Sequence, residues 1–456
     1  MPRLRLTDKI LEVGATVMKA RRKSAKKLPA TPARRSRRDA ILNEASHELN
    51  RRGVSQETLR RIAQKLGITR EALYYYFKDR NDLVSHCYLE TAQTLNLHLD
   101  GVLATSSTET ERIHRFIDEV LADDALELCG PINLGMMDEV RRRMVVQAID
   151  ELFEKLAGLL KRGIDLGEFR ACETGVAAPA IVSLILWQPF ANLVPTGGRK
   201  APRQAYREFI KSLILKGTAA DRSAMPPYEE IDFKVPEGSA AQAFDRIWIT
   251  DVKRAAILST ASRLFNEKGV DTTTLDEIAS QIGATTGALY HYIGGKETLV
   301  TQCYLRASQL SLFIIDRALE QPGSRLGAVA AYEQAWTQAQ MRKDVAPISQ
   351  LASFDALSAS SKGQIQNMSQ QFGERWRKLT GDALAAGEYR KIDLDILQRT
   401  LPGLSNWLVR METGDLENQR SIGRELGVFL TLGIGALPGA AADLRPPTSL
   451  SARPGD

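Results

Sequence analysis

Fifty residues of this chain occur twice. The run from Ile41 to Glu90 aligns without a gap onto Ile257 to Arg306, and about 22 of the 50 pairs are identical. A repeat of this quality constrains the fold more than any composition could. Whatever structure the first copy takes the second must also take, and any device it carries is present in duplicate.

Each copy holds a helix-turn-helix pattern. In the first, Leu59, Ile62, Ala63 and Leu66 fall at helical spacing, Gly67 supplies a turn position tolerant of positive φ, and Thr69 can cap a short second helix running to Phe77. The second copy repeats this with Leu275, Ile278, Ala279, Ile282, Gly283 and Thr285, and its Thr274 and Glu277 have the spacing of a capping box. Upstream, Ile41, Leu42, Ala45 and Leu49, matched by Ile257, Leu258, Ala261 and Phe265, predict an amphipathic helix against which the pair packs. Three helices then form one compact head.

These residues resemble the DNA-binding domain of TetR-family transcriptional regulators, above all in the string Ala-Leu-Tyr-x-Tyr followed by Arg80 or Lys296 and then Leu-Val. The resemblance implies an all-α fold in which each head is followed by a larger helical domain for dimerisation and ligand binding. Family members are usually homodimers of about half this length, so both subunits' worth of sequence lies in one chain. Echoes continue past the heads: Pro131-Ile132 against Pro347-Ile348, Gly167-Glu168-Phe169-Arg170 against Gly387-Glu388-Tyr389-Arg390, and Trp187 against Trp407. The register moves from 216 to 220 between these echoes, which implies a four-residue insertion in the second copy. Each half closes with an apolar helix, around Phe209 to Leu215 and around Leu426 to Ile434.

The expected organisation is a basic disordered arm over 1–38, a first head over 39–86, a first helical regulatory domain over 87–217 and a linker over 218–250. A second head over 251–302, a second regulatory domain over 303–438 and a disordered tail over 439–456 complete it. The linker contains Pro226, Pro227 and Pro236 and no sustained period. About thirty residues at ~3.3 Å each span up to ~100 Å, enough for the halves to pair within one chain, and tethering raises their effective concentration. Association of two chains, giving four heads, stays open.

Charge is uneven. Residues 1–40 hold thirteen Lys or Arg against three Asp or Glu, a net of +10, and the whole chain carries +6, so the remainder sums to −4. The stretch from Lys19 to Arg38 has ten cations and no acid. As a tail it would aid solubility; entering a DNA-binding head, its Arg34, Arg35, Arg37 and Arg38 are placed to neutralise phosphates or reach a minor groove. With no apolar run near ~20 residues and no secretory leader pattern, a cytoplasmic protein without membrane contact is expected. The four cysteines fit a reducing compartment, Cys87 and Cys303 as small buried hydrophobes, with a thiol sensor at Cys129 or Cys172 left open.

On the second helix of each head, Leu73, Tyr76 and Phe77, matched by Leu289, Tyr292 and Ile293, form the inward stripe, and the neighbouring stripe faces out. By the family's docking mode, Thr69, Arg70 and Glu71 are candidate base readers, and Tyr74, Tyr75, Lys78 and Arg80 hold the backbone. The second head offers Thr285, Thr286 and Gly287, then Tyr290, His291 and Lys296. Arg70 can donate twice to a guanine edge and Glu71 can accept from cytosine, whereas Thr286 makes no bidentate contact and Gly287 has no side chain. The heads are therefore expected to prefer different half-sites. The second head carries Gly294-Gly295 where the first has Lys78-Asp79, and is expected to grip phosphate less well.

The resemblance also implies a small-molecule effector. Aromatic or polar candidates for its pocket are His114, Cys129, Trp187 and Phe190 in the first half and Trp336, Phe354, Trp376 and Trp407 in the second, any of which could equally be core. There is no P-loop, no Gly-x-Ser-x-Gly, no CxxC and no His pair at metal spacing, so no catalytic residue, metal or cofactor is expected. The expected partner is double-stranded DNA. A ligand-responsive repressor acting as a single-chain pseudo-dimer is the leading reading, beside an architectural DNA binder without effector.

Overall fold

The computed structural model describes residues 32–53, 56–130, 134–193, 200–233, 246–349, 357–408 and 414–438, and seventeen α-helices and no strands occur among them. The all-α class follows from the helical spacing. Phe354 and the echo at Pro131-Ile132 lie outside the described residues, as do most of the expected arm and the expected tail from 439 onward.

The first repeat runs through α1 (Pro32–Arg52), α2 (Gln56–Lys65), α3 (Arg70–Tyr76), α4 (Arg80–Leu103) and α5 (Glu109–Val120). After a short 3-10 turn (Leu134–Met136) come α6 (Glu139–Asp165), α7 (Thr174–Leu186), the single turn α8 (Gln188–Ala191) and α9 (Arg203–Lys216). The second repeat has α10 (Arg246–Lys268), α11 (Leu275–Gln281), α12 (Thr286–Ile293), α13 (Lys296–Leu319), α14 (Arg325–Met341), α15 (Ala359–Ala385), α16 (Leu394–Ser405) and α17 (Leu416–Leu432). Because α1 starts at Pro32, the last residues expected to belong to a disordered arm, 32–38, are helical. Proline is favourable in a first helical turn, where its missing N–H has no partner to lose.

The echoed tetrapeptide is the joint of the molecule. Gly167 and Gly387 follow the ends of α6 and α15 with φ of +74° and +71°, a region open to glycine. The next residue, Glu168, turns back to accept from the N–H groups of Glu109 (3.1 Å) and Thr110 (2.9 Å), closing the exposed N-terminus of α5. Glu388 does the same for α14, accepting from Arg325 at 3.3 Å and Leu326 at 2.7 Å. Phe169 and Tyr389 are buried, each in an isolated antiparallel bridge to the other repeat, with Gly435 and Ala219 respectively. Arg170 then donates through N to Ile434 O (2.9 Å) and through Nε to Gly433 O (2.6 Å). Arg390 mirrors it, to Thr218 O (3.0 Å) and Gly217 O (2.7 Å).

At the centre of this joint Gly217 and Gly433, the C-caps of α9 and α17, face one another. Their φ/ψ values of 57°/−153° and 65°/−166° are essentially restricted to glycine. A Cβ on either would come closer than 3.0 Å to backbone atoms of the opposite repeat. Around them α7 and α9 pack on α16 and α17, and one continuous buried core holds side chains from both repeats, among them Leu156, Ile181, Ile210, Trp376, Leu404 and Phe429.

The segment expected to be a linker is held in place over its described part. The Thr218 and Ala219 amides donate to carbonyls of α17, and Arg222 donates to Leu432 O (2.7 Å) and Gly435 O (2.6 Å). Farther on, Tyr228 OH donates to Gln334 Oε1 (2.6 Å), and Ile231 and Phe233 are buried. Residues 218–233 are thus a strap across α14, which their polar composition and prolines conceal from a reading of local pattern.

Candidate nucleic-acid interface and the adjoining cavity

Each head builds its outward helix in the same way. Gly67 (φ +61°) and Gly283 (φ +67°) make the turn. Thr69 Oγ1 accepts from Ala72 N at 3.2 Å to start α3, and Thr285 Oγ1 accepts from Ala288 N at 3.2 Å to start α12. The inward stripe is as expected for Leu73, Phe77, Leu289 and Ile293, which are buried, while Tyr76 and Tyr292 are half-buried. Thr274 caps α11 by accepting from Glu277 N at 3.1 Å, but the Glu277 side chain pairs with Lys268 instead of completing the box.

The outward stripe is open. Thr69, Arg70, Glu71, Tyr74, Tyr75 and Lys78 are exposed and Arg80 is half-buried; Thr285, Gly287, Tyr290 and His291 are exposed, and Thr286 and Lys296 are half-buried. Two of its rings stand well out of the surface, Tyr75 at 67% exposed and Tyr290 at 53%. Arg70 lies over the Tyr74 ring, 5.9 Å from its centroid. Backbone and side-chain hydrogen bonds to Glu71, the side chain of Thr69 among them, hold its carboxyl below the usual range, so it is an acceptor at neutral pH.

The two stripes are chemically unlike. Thr286 donates its hydroxyl to Asp276, and Lys296 Nζ reaches Asp271 O at 3.4 Å, so both are engaged within the protein. Residues 41–87 carry eight Lys or Arg against six Asp or Glu, and residues 257–303 carry three against five. The first head thus has a net charge of +2 and the second of −2, which favours phosphate contact at the first. Asp79 caps α4 by accepting from Asp82 N at 2.8 Å, whereas Gly295, at the equivalent place before α13, has no side chain to do so. Of the arm candidates, Arg37 is exposed and Arg38 half-buried in α1; the side chains of Arg34 and Arg35 lie outside the described residues.

Behind the second head is a cavity of about 250 Å³, near the lower end of the roughly 300–1,000 Å³ typical of small-molecule sites. Its wall comes from α13 (Tyr304, Ala307, Ser308, Ser311), α14 (Tyr332, Glu333, Trp336), α15 (from Ile365 to Trp376) and α16 (Gln398, Leu401, Pro402). The other repeat contributes Trp187, Phe190 and Leu193. Trp187 reaches across because its Nε1 donates to Arg399 O at 2.8 Å, and because Gly403 leaves room for its indole. Four wall residues, Tyr304, Ala307, Ile348 and Ile365, belong to the apolar cluster that also holds Phe265, Ile278 and Leu289 of the second head. The helix α13 begins at that head and runs along the cavity, so both share one rigid element.

Of the pocket candidates drawn from the sequence, Trp187, Phe190, Trp336 and Trp376 line the cavity. His114 does not. It lies on α5 toward α9, where burial and the neighbouring Lys211 hold its pKa down. Trp407, expected to behave like Trp187, also stays out and donates Nε1 to Leu404 O of its own turn at 3.0 Å. Cys129 is core, and burial pushes its thiol far up; Cys172 and Cys303 are pushed up to about 12, which leaves none of the three a ready thiolate. The residue that local pattern did not single out is Glu333, 1% exposed on the cavity wall and pushed up to about 8 by burial.

The equivalent positions of the first repeat carry bulky aliphatic and aromatic side chains. Ser311, Tyr332, Glu333, Trp336, Phe372 and Trp376 correspond to Leu95, Phe116, Ile117, Val120, Leu152 and Leu156, all buried in the common core. Comparing the repeats position by position, instead of each with a helical template, is the signal that exposes Glu333.

Comparison with known proteins agrees with the architecture of the heads. The model of the tetR family of bacterial regulatory proteins matches residues 41–87 and again 257–303. Over 80 residues the chain is 31% identical to the uncharacterized HTH-type transcriptional regulator YxaF of Bacillus subtilis, a match covering 17% of this chain and 42% of that protein. Over 158 residues it is 28% identical to the HTH-type transcriptional repressor KstR2 of Mycolicibacterium smegmatis, covering 32% of this chain and 73% of the repressor. Among solved structures, the TetR family transcriptional regulator PfmR from Thermus thermophilus is 22% identical, with a TM-score of 0.35, covering 39% of this chain and 97% of PfmR. With two matches to the family's DNA-binding domain, each on a head of the expected geometry, the chain carries two tetR-family DNA-binding domains in tandem.

Proposed function

We propose that this chain is a ligand-responsive transcriptional repressor that binds DNA as a single-chain pseudo-dimer, its two heads reading unlike half-sites of an asymmetric operator. The observation that carries the reading is the pair of unlike outward stripes, Arg70-Glu71 against Thr286-Gly287, on heads whose regulatory helices share one core. A homodimer imposes two-fold symmetry on its operator, and a covalent tandem does not. Half-sites are expected about one helical turn, ~34 Å, or a multiple apart. A ligand that binds the DNA-incompetent arrangement more tightly would empty the operator, and moving the balance from 1:99 to 99:1 takes about 5.5 kcal/mol of differential binding.

The test is selection of tight-binding fragments from random DNA, with the mass of each complex measured. One chain per site on two unlike half-sites is expected; a perfect palindrome bound by two chains would sink the reading. On the selected site, Arg70→Ala should cost about 1–3 kcal/mol and relax specificity in one half-site only. Thr286→Ala should cost much less, because that hydroxyl is already given to Asp276. Equal losses would remove the case for unlike heads. Strong binding with little sequence preference and a steep salt slope would favour the architectural reading.

A further inference from the structure

We propose that the cavity behind the second head binds a compact organic monocation, a protonated amine or quaternary ammonium on an apolar body, with Glu333 as its counter-ion. This deepens the ligand-responsive reading and rests on it for the consequence at DNA, though the site itself stands on its own geometry. Three observations carry it.

The first is the wall, which is aromatic to an unusual degree. Tyr332 lies 5.4 Å from Trp376 and 5.7 Å from Phe372, while Phe372 and Trp376 stack at 6.1 Å, and Trp187 with Phe190 closes the far side at 5.5 Å. Ring faces attract cations by about 0.5–2 kcal/mol each when water is excluded. The second is that, among the described residues lining the cavity, Glu333 is the one acidic side chain and none is Lys, Arg or His. The third is that this carboxyl has no cation to neutralise it. Thr337 Oγ1 donates weakly to it at 3.4 Å, and Ser405 adds a further hydrogen bond. A buried carboxyl without an ion-pair partner is driven to hold its proton, and a ligand cation would favour the carboxylate in its place. At the matching place in the first repeat stands Ile117, so the fold itself does not require an acid there.

The charged groups on the surrounding helices are occupied with other partners. On α16 Arg399 interacts with Asp393 and Asp395; on α13 Arg306 donates to Asp344 O; on α15 Arg375 pairs with Asp316 and Arg377 donates to Gly373 O; on α17 Glu425 pairs with Arg170. The phenols of Tyr304 and Tyr332 also face the cavity, and burial pushes that of Tyr332 up, away from neutral pH. Glu333 therefore sets the pH response. It is mainly protonated below about 8 in the empty cavity, a cation must displace that proton, and affinity rises with pH up to about 8 and then levels.

The experiment uses the full chain with benzyltrimethylammonium and its neutral isostere neopentylbenzene, followed by tryptophan fluorescence and calorimetry at pH 6, 7, 8 and 9. The cation should bind at least tenfold more tightly than the isostere, and Glu333→Gln should erase that preference. Equal binding of the two probes, an unchanged preference in Glu333→Gln, or failure of the cation to bind overturns the proposal. Should Glu333→Gln not fold, the pH series on the unaltered chain decides, since affinity that is flat from pH 6 to 9 also overturns it. The selected operator fragment is titrated in parallel. Cation binding that leaves the DNA complex intact overturns the ligand-responsive reading while sustaining the site.

Discussion

Gly217→Ala is expected to destabilise the chain by more than about 3 kcal/mol, seen as a lower urea midpoint with an unchanged slope. Two costs combine. The backbone at Gly217, φ 57° and ψ −153°, lies where a Cβ is strained in any surroundings. Here the surroundings are worse, because the new carbon would overlap the Thr431 carbonyl and the Gly433 nitrogen, backbone atoms with no rotamer to yield. Gly167→Ala separates the two terms. Its φ is +74° but nothing lies within 4 Å of the added carbon, so only the strain, about 1 kcal/mol, should appear. Equal effects at the two glycines would mean that the close approach of the repeats contributes nothing to stability.

Ile117→Glu should be still more damaging. Ile117 is fully buried in the core that also holds Leu95, Phe116, Val120 and Leu152, while its counterpart Glu333 sits at the edge of a cavity. A carboxyl placed there has neither water nor a cation, and the expected loss exceeds about 4 kcal/mol at pH 7. The sign of its pH dependence is fixed. A buried carboxyl has a folded-state pKa above its unfolded value, so the folded chain holds the proton more tightly, and the penalty grows as pH rises from the unfolded value of about 4.3. Denaturation at pH 4 and pH 7 should show a smaller deficit at pH 4. A uniform deficit would point to shape, not charge, as the cause.

These two substitutions mark what could and could not be read from sequence. The heads were legible because every determinant is local: cap, turn glycine and inward stripe fall within about twenty residues. The echoed Gly-Glu-Phe/Tyr-Arg was visible as a repeat but mute as to role, since Glu168 caps a helix 59 residues upstream and Arg170 bonds a carbonyl 263 residues away. The strap over 218–233 looked like a linker because its anchors, among them Thr218, Arg222 and Tyr228, are polar groups whose partners lie in the other repeat. The cavity divides the aromatic candidates for the same reason. Trp187 lines it and Trp407 does not, although they are equivalent positions, because Trp187 finds a glycine, Gly403, opposite it and donates to the Arg399 carbonyl.

The cavity of the second repeat, set where the first repeat has Leu95, Phe116, Ile117, Val120, Leu152 and Leu156, bears on dose response. A symmetric dimer with two identical pockets can respond to ligand with a Hill coefficient up to 2, the number of its sites. A single chain responding through that cavity alone is limited to a coefficient of about 1, so going from one-tenth to nine-tenths occupancy takes an ~81-fold rise in ligand where a fully cooperative pair would need ~9-fold. Responding through that cavity alone, the duplicated chain would trade a sharp threshold for a graded readout, its output tracking ligand over nearly two decades of concentration.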